Sequence, residues 1–262
     1  MPTTLTFIGT ASCTPPADDD TACFLLNEHV LIDCGWCAAL SMLRRSERDA
    51  TDLSHVLITH CHHDHYMGLA GVLFYRAMQA SRLEDAAELA VAGPAEDIER
   101  VVDLALDYLQ ADRFASVSAR PQVLPLQPGE SLRVGELEVQ TAPTRHPVQG
   151  LAYRLCDTQT GATIGISGDT AYLPELADFF RSVDLLVMEG STGLTDPDPD
   201  SSAGHSSALQ SARIAADAGA AMLALVHIGA GDREEVLAAT TEIFPDTHMP
   251  QPGETIVLEG RR

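Results

Sequence analysis

The 262-residue chain has no lysine: all sixteen of its cationic side chains are arginines, set against 38 Asp and Glu for a formal net charge of −22. This shortage of cations disfavours partners held mainly by phosphate neutralisation, such as bulk DNA, long RNA or an anionic membrane surface, although a local basic pocket stays open. No mechanism follows from the missing lysine itself. No apolar run approaches the roughly 18 residues of a membrane span. The start, Met1 to Ile8, lacks the basic and apolar regions of a secretory signal. Disulfide frameworks are absent too: the six cysteines are scattered through a chain long enough to bury its own core, which fits reduced thiols in a cytoplasmic protein. Cys34 and Cys37 form a lone C-x-x-C, read as small packing residues because no second pair completes a zinc-ribbon spacing.

What the chain does have is the composition of an ordinary globular protein, 45% hydrophobic and 21% charged. Short apolar runs between Gly, Pro and Asp read as strands: Leu5 to Ile8, Cys23 to Leu26, Val30 to Ile32, Val56 to Thr59 and Leu89 to Ala92. Further strands are expected at Val123 to Leu126, Leu132 to Val134, Leu137 to Thr141, Ala152 to Cys156, Ala162 to Ser167, Val183 to Met188 and Ala221 to Val226. Helical spacing runs from Leu69 to Met78, from Ile98 to Leu109, from Leu173 to Ser182, and from Ser207 to Ala218 with Gly219 as a C-cap. The acidic, proline-rich stretch within Ser191 to Gly204 reads as a mobile loop. One α/β domain over residues 1–262, two sheets with helices outside, fits this order.

The chemistry concentrates after Val56-Leu57-Ile58-Thr59, in His60-Cys61-His62-His63-Asp64-His65: four histidines and an aspartate within six residues. His60 and His62, two apart in extended chain, project on one side and can clamp a metal through imidazole nitrogens. Asp64 and His65 fall where the chain turns toward a helix and can face a second position. Cys61 and His63 alternate away. Nitrogen and carboxylate donors suit zinc, with manganese or iron open. A solvated histidine cluster is the plain alternative. Against it, His146, Asp169, Glu189 and His227 stand at or just beyond the ends of other strand-like runs, where α/β sheets form their binding crevices.

These residues resemble the metallo-β-lactamase superfamily, and within it the ribonuclease Z-like branch. The H-x-H-x-D-H signature is present as His60, His62, Asp64 and His65; the later single histidine matches His146, the bridging aspartate Asp169, and the last ligand His227. The resemblance runs in family order from Gly9 to about Ile228. It implies a four-layer αββα sandwich with two divalent metal ions, in which His60, His62 and His146 hold one, Asp64, His65 and His227 the other, and Asp169 bridges them. Two such metals can lower the pKa of a bridging water and clamp the attacking and leaving oxygens at phosphorus, with Asp64 orienting or deprotonating that water. Met188-Glu189-Gly190-Ser191 resembles the family's His-Glu-Ala-Thr segment, and Gly204-His205-Ser206 its His-Ser-Thr segment. By that resemblance Glu189 positions His205, which protonates the leaving oxygen, a gain of roughly 10² to 10⁴. A helix-capping His205 and a surface Glu189 are the alternative.

Ribonuclease Z enzymes carry a long arm between the matches of His146 and Asp169; here a strand, a turn at Asp157 to Gly161 and another strand fill that interval. With the acidic balance, this points to a small substrate: a cyclic nucleotide, a cyclic sugar phosphate or a short dinucleotide. Arg145 and Arg154 are candidates for holding a phosphate. Competing readings are an RNA 3′-processing endonuclease, a hydrolase of lactones, sulfates or thioesters, and a non-enzymatic metal-bound accessory protein. Family habit suggests a homodimer.

Overall fold

Short, doubly apolar runs cannot satisfy their backbone groups alone and pair as strands covered on both sides. The computed structural model describes residues 2–79, 88–117, 120–198 and 201–260. In the first sheet, β1 (Thr3–Gly9), β2 (Cys23–Leu26), β3 (Val30–Ile32), β4 (His55–Leu57), β5 (Ala90–Pro94), β6 (Gln122–Leu126) and β14 (Thr255–Leu258) lie in the order β14-β1-β2-β3-β4-β5-β6. The second contains β7 (Ser131–Val134), β8 (Leu137–Pro143), β9 (Leu151–Asp157), β10 (Thr163–Ile166), β11 (Leu185–Glu189), β12 (Leu223–Val226) and β13 (Thr247–His248), ordered β13-β12-β11-β10-β9-β8-β7. Strands β3 to β6 run parallel, as do β10 to β13.

Between the sheets Leu5, Phe7, Phe24, Ile32 and Leu57 pack against Val139, Tyr153, Leu155, Ile164 and Val187. Burying each such side chain is worth about 1.5–3 kcal/mol, so this seam is the main hold of one sheet on the other. Tyr153, fully buried, donates its hydroxyl to Ile58 O at 2.7 Å and so ties β9 to the segment leading to His60. Helices α1 (Ala38–Arg45), α2 (His63–Tyr66), α3 (Leu69–Met78) and α4 (Ile98–Tyr108) follow the first sheet's strands, and Met42, Leu69, Val72 and Val101 cover its outer face. The second sheet is covered by α5 (Leu176–Phe179), α6 (Ala208–Ala218) and α7 (Arg233–Thr241) through Leu176, Ile214, Ala215 and Val236. The layers are αββα.

Helix α6 matches its sequence signals: Ser207 and Gln210 form a capping box, and Gly219 closes the helix at φ 62°. The helix expected over 173–182 shrinks to the single turn α5, because Pro174 falls at its start and Ser182 takes φ 56°, leaving the α region. Helices α1, α2 and α7 and strands β13 and β14 had no expectation. Cys34 is buried as expected, but Cys37 is exposed at the N-cap of α1. An apolar hollow of about 590 Å³ lies among α1, α3 and α4, lined by Trp36, Leu40, Met67, Leu104 and Tyr108. Among the described residues no helix is long and apolar enough to cross a membrane.

Candidate metal centre

Beyond β4 the chain stays extended: Ile58 N donates to Ala92 O, Leu151 N donates to Thr59 O, and His60 bridges Gly150 of the other sheet. His60 therefore sits where the two sheets meet. The turn carrying Asp169 packs directly on this point. Gly168 has φ 59°, and a Cβ there would lie 2.7 Å from Thr59 Cβ, so only glycine brings Asp169 this close.

Among the described residues four groups of donors lie close enough to share an ion: two coincide with the expected sets, and the other two, His146 with Asp169 and His205, and Glu189 with His205 and His227, include His205. His60, His62 and His146 offer ring nitrogens within 4.8 Å of one another, as do the ligand atoms of Asp64, His65, Asp169 and His227. One oxygen of Asp169 belongs to both neighbourhoods: Oδ2 is 3.8 Å from His60 Nε2 and 3.6 Å from the Nε2 atoms of His65 and His227. Asp64 Oδ2 lies 3.4 Å from His65 Nε2 and 3.3 Å from His227 Nε2.

The outer ring nitrogens are anchored. His60 Nδ1 is 3.2 Å from Thr59 Oγ1, and His146 Nδ1 donates to Gly204 O at 2.8 Å. His65 Nδ1 meets Asp33 Oδ2 at 2.8 Å, and Asp33 is itself held by Thr59 N and Thr59 Oγ1. His227, at φ 54°, donates its backbone N to Thr10 O at 2.7 Å; such left-handed geometry in a non-glycine residue costs about 1–3 kcal/mol.

These residues fit a divalent metal. His60 Nε2 and His65 Nε2 are buried, lie toward the shared carboxylate and have no hydrogen-bond partner among the described residues. Leaving such an atom unpaired costs about 1–3 kcal/mol, which coordination relieves. His62 Nδ1 lies 2.8 Å from His146 Nε2, a spacing that needs a proton or a cation between the two.

Electrostatics divide the groups. Burial, with repulsion from neighbouring rings, pushes His60 and His62 down, and burial carries His146 down to about 4. For His65 and His227 burial also works downward, but Asp169, with Asp33 or Asp64, outweighs it and both rise. Asp64 and Asp169 are driven well below the usual carboxylate range, burial opposing and the histidines prevailing.

Glu189 and His205 adjoin the second group. His205 Nδ1 is 3.0 Å from Glu189 Oε2 and 3.7 Å from Asp169 Oδ2. Glu189 is buried, and Thr170 N donates to its Oε1 at 2.6 Å. Burial and Asp169 raise the Glu189 carboxyl; burial lowers His205, but Glu189 more than compensates and its pKa rises. His205 does not cap α6; Ser207 does. His63 is exposed and Cys61 half-buried, both turned from the donors.

The seven expected metal ligands and the Glu189–His205 pair are thus brought together, whereas Arg154 is not. Two were missed: Asp33, which follows the run Val30 to Ile32 and answers to the same strand-end rule that singled out Asp169, and Ser191, whose one signal is its place in the segment that resembles His-Glu-Ala-Thr. Arg145 lines a small hollow with His205 and Tyr172 and donates to Tyr172 O at 2.9 Å, whereas Arg154 contacts Arg181 O. In the Ser191 to Gly204 loop Asp196 pairs with Arg213 and Ser207; Pro199 and Asp200 lie outside the described residues.

Residues 28–228 match the family model described as the β-lactamase superfamily domain. The chain belongs to the β-lactamase superfamily, and it is a metallo-hydrolase of that fold. It is 27% identical to ribonuclease BN of Cronobacter sakazakii over 315 aligned positions, spanning 97% of this chain and 99% of that one. It is 26% identical to ribonuclease Z of Acaryochloris marina, spanning 94% of each. Among solved structures, the metallo-β-lactamase fold protein YhfI from Bacillus subtilis superposes with a TM-score of 0.81 at 25% identity over 98% of this chain and 99% of that one. The short form of human tRNase Z shares the fold, with a TM-score of 0.72 at 19% identity over 97% and 98%. An alignment of 315 positions exceeds the 262 residues here, so the ribonuclease BN carries stretches with no counterpart in this chain.

Proposed function

We propose that this protein is a binuclear metal-dependent phosphodiesterase for a small or cyclic phosphodiester. The observation that carries the reading is the Glu189–His205 pair beside two donor sets that share Asp169. His60, His62 and His146 would hold one divalent ion and Asp64, His65 and His227 the other, with Asp169 between; the donors favour zinc, with manganese or iron as alternatives. Bound there, the ions supply an activated water and neutralise charge developing on the phosphoryl oxygens. Asp64, beside the second group, would orient or deprotonate that water. Glu189 occupies His205 Nδ1 and keeps the ring charged, leaving Nε2 to protonate the departing oxygen. An alkoxide needs that proton far more than an activated leaving group does, which favours a phosphodiester over a lactone, sulfate or thioester.

The small substrate rests on the His146 to Asp169 interval. Strands β9 and β10 pair as a tight antiparallel hairpin, Cys156 opposite Thr163, and no arm interrupts it. The net charge of −22 acts in the same direction, since each phosphate of a long RNA calls for a cation. An RNA 3′-processing endonuclease is the second reading, favoured by relatives named ribonuclease Z and BN.

Three smaller elements complete the proposal. Residues 1–262 form one domain, supported by the pairing of β1 with β14. The six free cysteines support a cytoplasmic location. The apolar face of α1, α3 and α4 supports a homodimer, which a monomeric mass in sedimentation would remove.

Metal analysis of the purified protein, followed by a panel of bis-p-nitrophenyl phosphate, 2′,3′- and 3′,5′-cyclic nucleotides, pre-tRNA and a lactone, tests the reading. Two metal equivalents and preferred cleavage of a cyclic nucleotide are expected. Preferred cleavage of pre-tRNA overturns the small substrate; preferred cleavage of the lactone overturns the phosphodiesterase.

A further inference from the structure

Glu189 makes more contacts than the positioning of His205 requires. Its Oε2 lies 3.0 Å from His205 Nδ1 and also accepts a hydrogen bond from Ser191 Oγ. The same Ser191 Oγ lies 2.8 Å from His227 Nδ1. A serine hydroxyl has a single hydrogen, and a carboxylate can only accept. With that hydrogen given to Glu189, Ser191 Oγ can only accept from His227, so Nδ1 of His227 carries its proton. When an incoming ion displaces the proton that Nε2 shares with Asp64, the lone pair is left on Nε2, the atom 3.3 Å from Asp64 Oδ2 and 3.6 Å from Asp169 Oδ2.

We infer that Ser191 is a positioning residue, which selects the metal-binding tautomer of His227 and joins the second donor set to the Glu189–His205 pair through one directed chain of hydrogen bonds. The chain runs from His227 Nδ1–H to Ser191 Oγ–H to Glu189 Oε2. It parallels the contact of His65 Nδ1 with Asp33 Oδ2, so both histidines of the second set are anchored on a carboxylate, one directly and one through a hydroxyl. Outer anchors of this kind set ligand orientation and basicity, and losing one typically weakens metal binding by about 10–100-fold. One buried carboxylate thus serves a metal ligand and the proton donor together. The inference rests on the proposed metal centre and on the proposed role of His205, but not on any particular substrate.

The test compares Ser191→Thr with Ser191→Val, two side chains of the same shape that differ in the hydroxyl. Zinc affinity is read without substrate, by competition with a chromophoric chelator, and the imidazole tautomers of the zinc-loaded protein by long-range proton–nitrogen NMR, with His227 assigned through His227→Gln. Expected are two tight zinc equivalents in wild type and S191T, a loss of about 10–100-fold at one equivalent only in S191V, and a proton on Nδ1 of His227 in wild type. Equal zinc binding by S191T and S191V overturns the inference, as does a proton on Nε2 of His227. Failure of wild type to bind two equivalents would instead overturn the metal centre itself. A wrong substrate class would leave every one of these readings unchanged.

Discussion

The two donor sets meet at Asp169, whose Oδ2 lies within 3.8 Å of a ring nitrogen of each, and differ in most other respects. His60, His62 and His146 are three rings, the last two only half-buried, anchored on a threonine hydroxyl and a backbone carbonyl. Asp64, His65, Asp169 and His227 are all buried, and their histidines are anchored on Asp33 and, through Ser191, on Glu189. The rings respond in opposite directions: in the first set burial outweighs the pull of Asp169, while in the second Asp169 and its neighbours outweigh burial. One centre therefore presents a more open side of neutral rings and a closed side in which carboxylates face charged rings, although histidine contributes to both.

Replacing the shared carboxylate should have the largest effect. Asp169→Ala is expected to lose both zinc equivalents by elemental analysis and to drop hydrolysis to background; retention of one equivalent would show that the sets stand independently. His205→Ala, outside both sets, should keep two equivalents yet slow a diester with an alkoxide leaving group by about 10² to 10⁴, and a p-nitrophenyl diester far less. Loss of metal in that variant would move His205 into the centre as a ligand.

The difference in anchoring is tested by Asp33→Asn, which retains an oxygen for Thr59 while removing the charge behind His65. Zinc affinity should fall by about 10–100-fold at one equivalent and hold at the other, measured by chelator competition. An equal fall at both would erase the distinction between the sets.

The smallest effect is the pH dependence of metal uptake. His65 and His227 have raised pKa values, so they hold protons that an incoming ion must displace, and binding at their set should weaken as pH falls from above the ordinary histidine range. His60, His62 and His146, all lowered, release their protons more readily, and their set should hold metal to lower pH than the other. Each displaced proton changes apparent affinity by about tenfold per pH unit, which proton release measured by calorimetry in two buffers would follow. Equal release at both sets would contradict the electrostatic division.

Much of the site was legible because its signals are local. His60, His62, Asp64 and His65 fall within six residues, and His146, Asp169, Glu189 and His227 follow strand-like runs whose ends the fold gathers into one crevice. The strands were legible for the same reason: their apolar runs are short and bounded by turn residues. Helix α5 was overestimated because the apolar spacing of 173–182 outlasts the point at which Pro174 and Ser182 confine it. Helix α7 went unseen because its weakly apolar segment buries only Val236 and Thr240, too few to mark a face. Asp33 was legible in principle by the strand-end rule but was not singled out, since an aspartate after a strand is common in turns.

The absence of lysine and the charge of −22 belong to the sequence alone, as do the donor types, their order along the chain and the short interval between His146 and Asp169. A nitrogen or carboxylate donor is a property of its side chain and needs no neighbour to be recognised. Only the tertiary structure decided which donors share a set, which carboxylates stand behind which rings, and which side of the centre is closed. Those depend on contacts such as Asp64 with His227, 163 residues apart, made where the two sheets meet. Burial and opposite charge at that junction set the protonation of each ring, and both arise from packing.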